Sequence, residues 1–194
     1  PWGQNGRVSE LQSLVGRLLV ATPQTDDPNF ARSVVLVLHH DGDGAQGVVL
    51  NQPIPTGIDD VLPGWEEHAS APATLFKGGP VSLDSALGLV AVPGVGPGPA
   101  GVRRLFGGVA LLDLDAEPDL VGTEVAGLRI FAGYAGWSAG QLDGEIRRGG
   151  WYVLDAEAAD TFTEEPEHLW QRVLRRQGGS LAWVASFPAD PTQN

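Results

Sequence analysis

The sequence contains no cysteine and no methionine. Without cysteine there is no disulfide, no thiolate nucleophile and no thiolate-based zinc site. Basic residues are scarce: 12 lysines and arginines face 24 aspartates and glutamates, for a net charge of −12. Phosphate backbones are neutralised by clustered cations. Here the basic residues are spread thinly, with adjacent arginines only in three separated doublets, Arg103-Arg104, Arg147-Arg148 and Arg175-Arg176. Direct nucleic-acid binding is therefore not expected. No apolar run approaches the roughly 20 residues needed to cross a bilayer. A basic segment followed by an apolar core is missing near Pro1, so no secretory signal is expected. Together with the lack of cysteine, this reads as a cytoplasmic protein with no membrane association.

What the chain has in quantity is punctuation. There are 27 glycines and 15 prolines in 194 residues, which implies many turns between short elements and an α+β fold. That length suits a single domain, 1–194, with a loose lead-in over 1–10. The segment 93–101, PGVGPGPAG, reads as a flexible loop inserted between strands.

The most specified stretch is Arg129–Gly150, RIFAGYAGWSAGQLDGEIRRGG. Its opening is apolar and β-branched or aromatic, as a buried strand should be. Gly133 and Gly136, beside Tyr134 and Trp137, predict a sharp glycine corner. Ser138 and Gln141 have capping-box spacing, predicting a helix that starts at Ser138. Arg147 and Arg148 close that helix, Gly149 stops it, and Trp151–Leu154 resumes a strand.

Elsewhere, Arg17–Ala21 reads as a strand. Ser33–His39 and Gln46–Asn51, joined through Asp41-Gly42-Asp43-Gly44, read as a β-hairpin. Pro53 and Pro55 are expected to break the ladder. Leu11–Val15 reads as a short helix or arm, residues 58–62 as one helical turn, and Trp65 as an anchor. Short strands are expected near Asp84–Val92, Val102–Leu105 and Gly107–Leu112. Weak helices are expected near Asp115–Val121 and Ala156–Thr161, and a firm one over Pro166–Gln177. After Gly178-Gly179 the tail Leu181–Asn194 is expected to be extended.

The run Gly16–Pro53, GRLLVATPQTDDPNFARSVVLVLHHDGDGAQGVVLNQP, resembles the N-terminal signature of the bacterial YqgE/AlgH family. Gly78-Gly79-Pro80-Val81, Phe131–Leu142, Leu169-Trp170 and Asp190-Pro191 follow in the order the family shows. The resemblance covers nearly the whole chain. It implies a compact α+β domain around a bent, mostly antiparallel mixed sheet that partly closes into a barrel, with a few helices packed on it. It implies no established activity, although one branch is named for an effect on alginate gene expression. His39 stands where relatives often carry an acid.

Each chemical candidate has a structural alternative. His39 and His40 lie beside Asp41 and Asp43 and could contribute to a metal site, but adjacent strand residues face opposite sides, so at most one histidine joins a given cluster. Position 52 is Gln, so the Asp41–Gly44 run lacks the closing glutamate of a calcium loop. Gly78, Gly79 and Pro80 could cradle an anion, or form a tight turn where backbones pass closely. Ser33, Ser138 and Ser186 lack the nucleophile-elbow pattern. Asn29, Arg32, Asn51 and Gln141 could line one pocket, or satisfy turns. No catalytic set, metal or cofactor is assigned. The candidate ligand or partner surface comprises Asn29, Arg32, His40, Asn51, Gly78, Gly79, Pro80, Gly133, Gly136, Trp137, Ser138 and Gln141. The reading is a non-enzymatic interaction or regulatory protein, monomeric or weakly self-associating, with a protein partner possible. The alternatives are a small-ligand binder or enzyme using a groove near Trp137, and a transcriptional regulator acting indirectly.

Overall fold

The computed structural model describes residues 12–189. The strands are β1 (Arg17–Ala21), β2 (Val34–Asp41), β3 (Gly44–Val49), β4 (Pro53–Gly57), β5 (Thr74–Lys77), β6 (Val81–Ala91), β7 (Val102–Phe106), β8 (Val109–Leu112), β9 (Gly127–Ser138) and β10 (Trp151–Asp155). The helices are α1 (Pro118–Gly122), α2 (Gln141–Arg147), α3 (Ala158–Thr161), α4 (Leu169–Gln177) and α5 (Gly179–Val184). The strands join in the order β10-β1-β2-β3-β9-β6-β8-β7, and β5 with β4 branches from β9. All pairings are antiparallel except that of β5 with β9. The sheet curls into a half-barrel, so that the Phe106 ring at the end of β7 packs beside Gly16, just before β1.

Apolar runs without alternation explain why the middle of this sheet is covered on both sides. Leu18, Val20, Val34 and Leu36 face one core, shared with Leu169, Trp170 and Val173 of α4. Their neighbours Leu19, Ala21, Val35 and Val37 face a second core with Trp137, Leu142 of α2 and Trp151. A third core gathers Trp65, Val90, Leu112, Val121 and Ile130 at the other end of the sheet. Trp65 is 2% exposed and anchors its connection as the sequence suggests.

The predicted glycine corner is not formed. β9 runs unbroken from Gly127 to Ser138, because β6 pairs along its first half and β3 along its second. The glycines serve close approach instead. Gly78 donates to the carbonyl of Ala132 at 2.9 Å. A Cβ on Gly78 would overlap the Gly133 carbonyl, and one on Gly79 would overlap the backbone of Tyr134. Gly133 has φ +71°, and a Cβ there would lie 2.7 Å from the Gly79 carbonyl oxygen. Two glycine motifs far apart in sequence are thus the two sides of one backbone crossing.

The expected Ser138 cap is also corrected. Ser138 stays paired opposite Gly44 in the sheet, so α2 starts only after Gly140, whose φ is 70°. Gln141 still reaches back, its Oε1 accepting from the Ser138 N–H at 3.0 Å and facing the Ser138 hydroxyl at 3.2 Å. Pro53 and Pro55 do not end the ladder: β4 is an edge strand paired only with β5, where missing donors are tolerated. Residues 179–184 are helical rather than extended, because Leu181 and Val184 pack on the first core. Residues 12–14 are irregular and lead into a turn at 15–16, and Leu14 packs on the second core, the arm rather than the helix of the two expectations. The lead-in 1–10, Leu11 and the Asp190-Pro191 motif lie outside the described residues. The 93–101 loop does join β6 to β7, and Arg104 fastens it through the carbonyls of Val92, Pro93 and Gly96.

Candidate functional site

The β1–β2 connection carries Phe30 across the face of the second core. Its ring lies 6.2 Å from that of Trp137 and 5.7 Å from that of Trp151. The two tryptophans meet edge to face at 6.1 Å. Trp137 comes from the end of β9 and Trp151 from the start of β10, and α2 spans the gap between them. Both indole N–H groups donate to the same atom, Oε2 of Glu145, at 2.9 Å each. Its other oxygen, Oε1, accepts from Gln141 Nε2 at 3.0 Å. One α2 carboxylate therefore ties together two strands and its own helix.

Above this arrangement lies a cleft of about 330 Å³. Its walls include Gln24–Asp27 on one side, Gln141, Glu145 and Arg148 on the other, and the three aromatic residues at the base. Thr22 and Thr25 hold the far rim by hydrogen bonds to the carbonyls of Gly149 and Gly150.

The twelve candidate surface residues separate by this geometry. Gly136, Trp137 and Gln141 line the cleft, and Ser138 is tied to Gln141 beside it. Arg32 faces a different cleft on the other side of the same connection. Asn29 and Asn51 line neither, so the four polar residues do not share one pocket. Asn51 is a clamp: its Nδ2 donates to the Arg32 carbonyl at 2.9 Å, and its Oδ1 accepts from Val34 N–H at 3.0 Å. Asn29 holds Gln52 through its carbonyl and faces the Lys77 ammonium at 3.4 Å. Gly78, Gly79 and Gly133 are the backbone crossing, with Pro80 exposed beside it. The Gly78 N–H is spent on Ala132, which removes it from any anion cradle.

His40 is buried beneath α2. Its Nδ1 accepts from Leu14 N–H at 3.1 Å, which places the neutral ring's proton on Nε2, 3.5 Å from the Asp143 carboxylate. His39 points outward and pairs with Asp41 at 2.8 Å. The two histidines diverge as adjacent strand residues should, so His39 alone of the pair meets Asp41, and these residues form no three-ligand group among the described residues. Asp41 also accepts from Asp43 N–H at 2.8 Å. That bond, and the nearby His39, hold its carboxyl below the usual aspartate range. Among the described residues, one group of side chains could share an ion: Glu67, His68 and Asp119, at the surface. Of the three serines, Ser33 Oγ is buried without a hydrogen-bond partner, and Ser138 and Ser186 pair with Gln141 and the Trp183 carbonyl. None engages a histidine among the described residues.

Sequence reasoning passed over Glu145, Phe30 and Trp151. The signal for Glu145 was its i,i+4 spacing from Gln141, which puts both on one helix face. It also passed over Arg129, which is 1% exposed. The Arg129 guanidinium donates to the carbonyls of Ser70, Ala71, Thr161 and Thr163 and lies 4.2 Å over the Phe76 ring. Burial pushes its pKa down to about 10, only partly offset by Glu164, so it stays charged at neutral pH.

Residues 18–182 match the AlgH-like family, DUF179. The chain belongs to that family. Among similar proteins, the UPF0301 protein SCO2948 of Streptomyces coelicolor is 53% identical over 190 residues, spanning 96% of this chain and 98% of the relative. A UPF0301 protein of Thermobifida fusca is 52% identical, over 94% of this chain and 96% of that one. Two solved structures carry the AlgH-like fold. Protein DIP2367 from Corynebacterium diphtheriae superposes with a TM-score of 0.83 at 33% identity, covering 89% of this chain and 92% of its own. The AlgH protein from Pseudomonas aeruginosa superposes with a TM-score of 0.66 at 28% identity, over 96% and 98%. No helix among the described residues is long and apolar enough to cross a membrane.

Proposed function

We propose that this AlgH-like chain works by binding rather than by catalysis, as a cytoplasmic interaction or regulatory protein, with the cleft beside Phe30 as its recognition site. The observation that carries this reading is the engagement of Glu145 in three hydrogen bonds. A general base must be within reach of the proton it takes and have a lone pair turned toward it. Here one oxygen holds two indole N–H groups and the other holds Gln141, so three of the roughly four acceptor sites are occupied and the carboxylate is fixed as a strut. At about 330 Å³ the cleft is near the lower end of small-ligand sites. It suits one compact polar group, delivered as a free metabolite or as a side chain of a protein partner. An influence on transcription would then be exerted through protein contact. A net charge of −12 repels phosphate, and Arg104 and Arg176 from two of the arginine doublets are engaged inside the fold.

The test pairs a thermal-shift screen of metabolites, nucleotides and metals with a pull-down from native lysate. Both compare wild type with Gln24→Trp, an exposed rim substitution that fills the cleft mouth. A compound or partner lost in the variant, at unchanged melting temperature, is the expected result. Turnover of a substrate that persists in Gln24→Trp would overturn the reading.

A further inference from the structure

We propose that the second cleft, between the β1–β2 connection, α4 and the chain following α5, is a binding site for a small apolar monocarboxylate, with Arg32 as its recognition residue. It is separate from the Phe30 cleft; Thr25 is the wall they share.

The cleft measures about 380 Å³, and Pro23, Ala31, Trp170, Phe187 and Pro188 give it a mainly apolar lining. The charge in that lining is Arg32. Its guanidinium carbon sits 4.0 Å over the Trp170 ring, and Nη1 donates to the Phe187 carbonyl at 3.0 Å. No carboxylate lies within 4.0 Å of it among the described residues, although the chain carries twice as many acids as bases. A guanidinium has five N–H donors; Phe187 takes one.

The backbone beneath it is unusual. Arg32 has φ +56°, a left-handed conformation that costs a side-chain-bearing residue free energy. Asn51 holds it there from both sides of Ser33. The platform is equally constrained, since Trp170 is 2% exposed and its indole N–H donates to the Ala21 carbonyl at 2.9 Å. Strain, clamp and platform together aim one planar cation at an apolar cleft.

The chemistry selects the ligand. A single planar fork matches a carboxylate through two parallel hydrogen bonds. A phosphate dianion would call for further cations, and the cleft lining contains none. Pro23, Phe187 and Pro188 then cover the ligand's apolar body.

The experiment titrates the whole protein with benzoate, followed by tryptophan fluorescence and calorimetry. Benzamide serves as the uncharged isostere and inorganic phosphate as the competing anion. Saturable benzoate binding is expected, at least tenfold weaker in Arg32→Lys and absent in Arg32→Asn. Asparagine tolerates positive φ, so Arg32→Asn should stay folded by circular dichroism. Binding should be unchanged in Gln24→Trp. The proposal is overturned if benzoate fails to bind wild type, if benzamide or phosphate binds equally well, or if folded Arg32→Asn retains benzoate. Loss of benzoate binding in Gln24→Trp would also overturn it, by placing the ligand in the other cleft.

Discussion

Trp137 and Trp151, contributed by strands at opposite ends of α2, donate their indole N–H groups to one and the same oxygen of Glu145, each at 2.9 Å. Their rings meet edge to face, so a single carboxylate sets the spacing of two strands that do not pair with each other.

Removing that acceptor should be costly for its size. Glu145→Ala strands two part-buried donors, and we expect a loss of about 2 kcal/mol. Glu145→Gln keeps an acceptor oxygen and should lose less. Trp137→Ala, at 6% exposure, should cost about 3–5 kcal/mol. Chemical denaturation with an unchanged m-value checks all three. A Glu145→Ala protein as stable as wild type would show that the shared hydrogen bonds contribute nothing.

The glycine crossing predicts a steep positional contrast. Gly79→Ala and Gly133→Ala push a Cβ into opposing backbone and should destabilise by about 3 kcal/mol or prevent folding. Gly42→Ala has open space around it and no positive φ, and should stay within about 0.5 kcal/mol of wild type. Equal melting temperatures for Gly79→Ala and Gly42→Ala would contradict the crossing.

Arg129 should be irreplaceable by lysine. An ammonium is a point donor and cannot span four carbonyls on two segments, so Arg129→Lys should lose about 2–3 kcal/mol. The pH dependence has a definite sign. The folded pKa is depressed to about 10, so the folded state binds fewer protons than the unfolded state only above that pH. The Arg129 contribution therefore rises with pH between about 10 and the ordinary arginine range, and is constant below it. Urea denaturation from pH 5 to 9 should give parallel stability curves for wild type and Arg129→Gln, whose side chain does not titrate. A difference that varies across that range would refute this.

Asp41 is held below the usual aspartate range by the Asp43 N–H and by His39. A depressed carboxyl stabilises above its unfolded pKa, and that contribution fades as pH falls through the folded value. Carbon-detected titration should show Asp41 protonating below the usual aspartate range. The Asp43 amide should lose exchange protection over the same acidic window. Titration of Asp41 within the usual aspartate range would count against the turn geometry.

Much of the framework was legible in the chain itself. The β-branched run Ser33–His39 meant a strand, and an Asp-Gly turn between it and Gln46–Asn51 meant a hairpin. Proline at the start and paired glycines at the end bounded the helix around α4. Those readings succeed because they rest on interactions between near neighbours, where chain geometry leaves few choices. The functional surface behaved differently. Ser138 looked like a helix cap, but pairing with Gly44 across the sheet outweighed its local preference. Asn29, Arg32, Asn51 and Gln141 could have lined one pocket or satisfied turns, and the connection that turns Phe30 to one side and Arg32 to the other decides for the turns at Asn29 and Asn51. Glu145 looked like an ordinary surface acid until two tryptophans from separate strands converged on it. The local pattern thus decided which segments extend, turn or coil. Only the tertiary structure decided which side chains meet, because that depends on hydrogen bonds and packing between residues more than a hundred positions apart, such as Trp170 and Ala21.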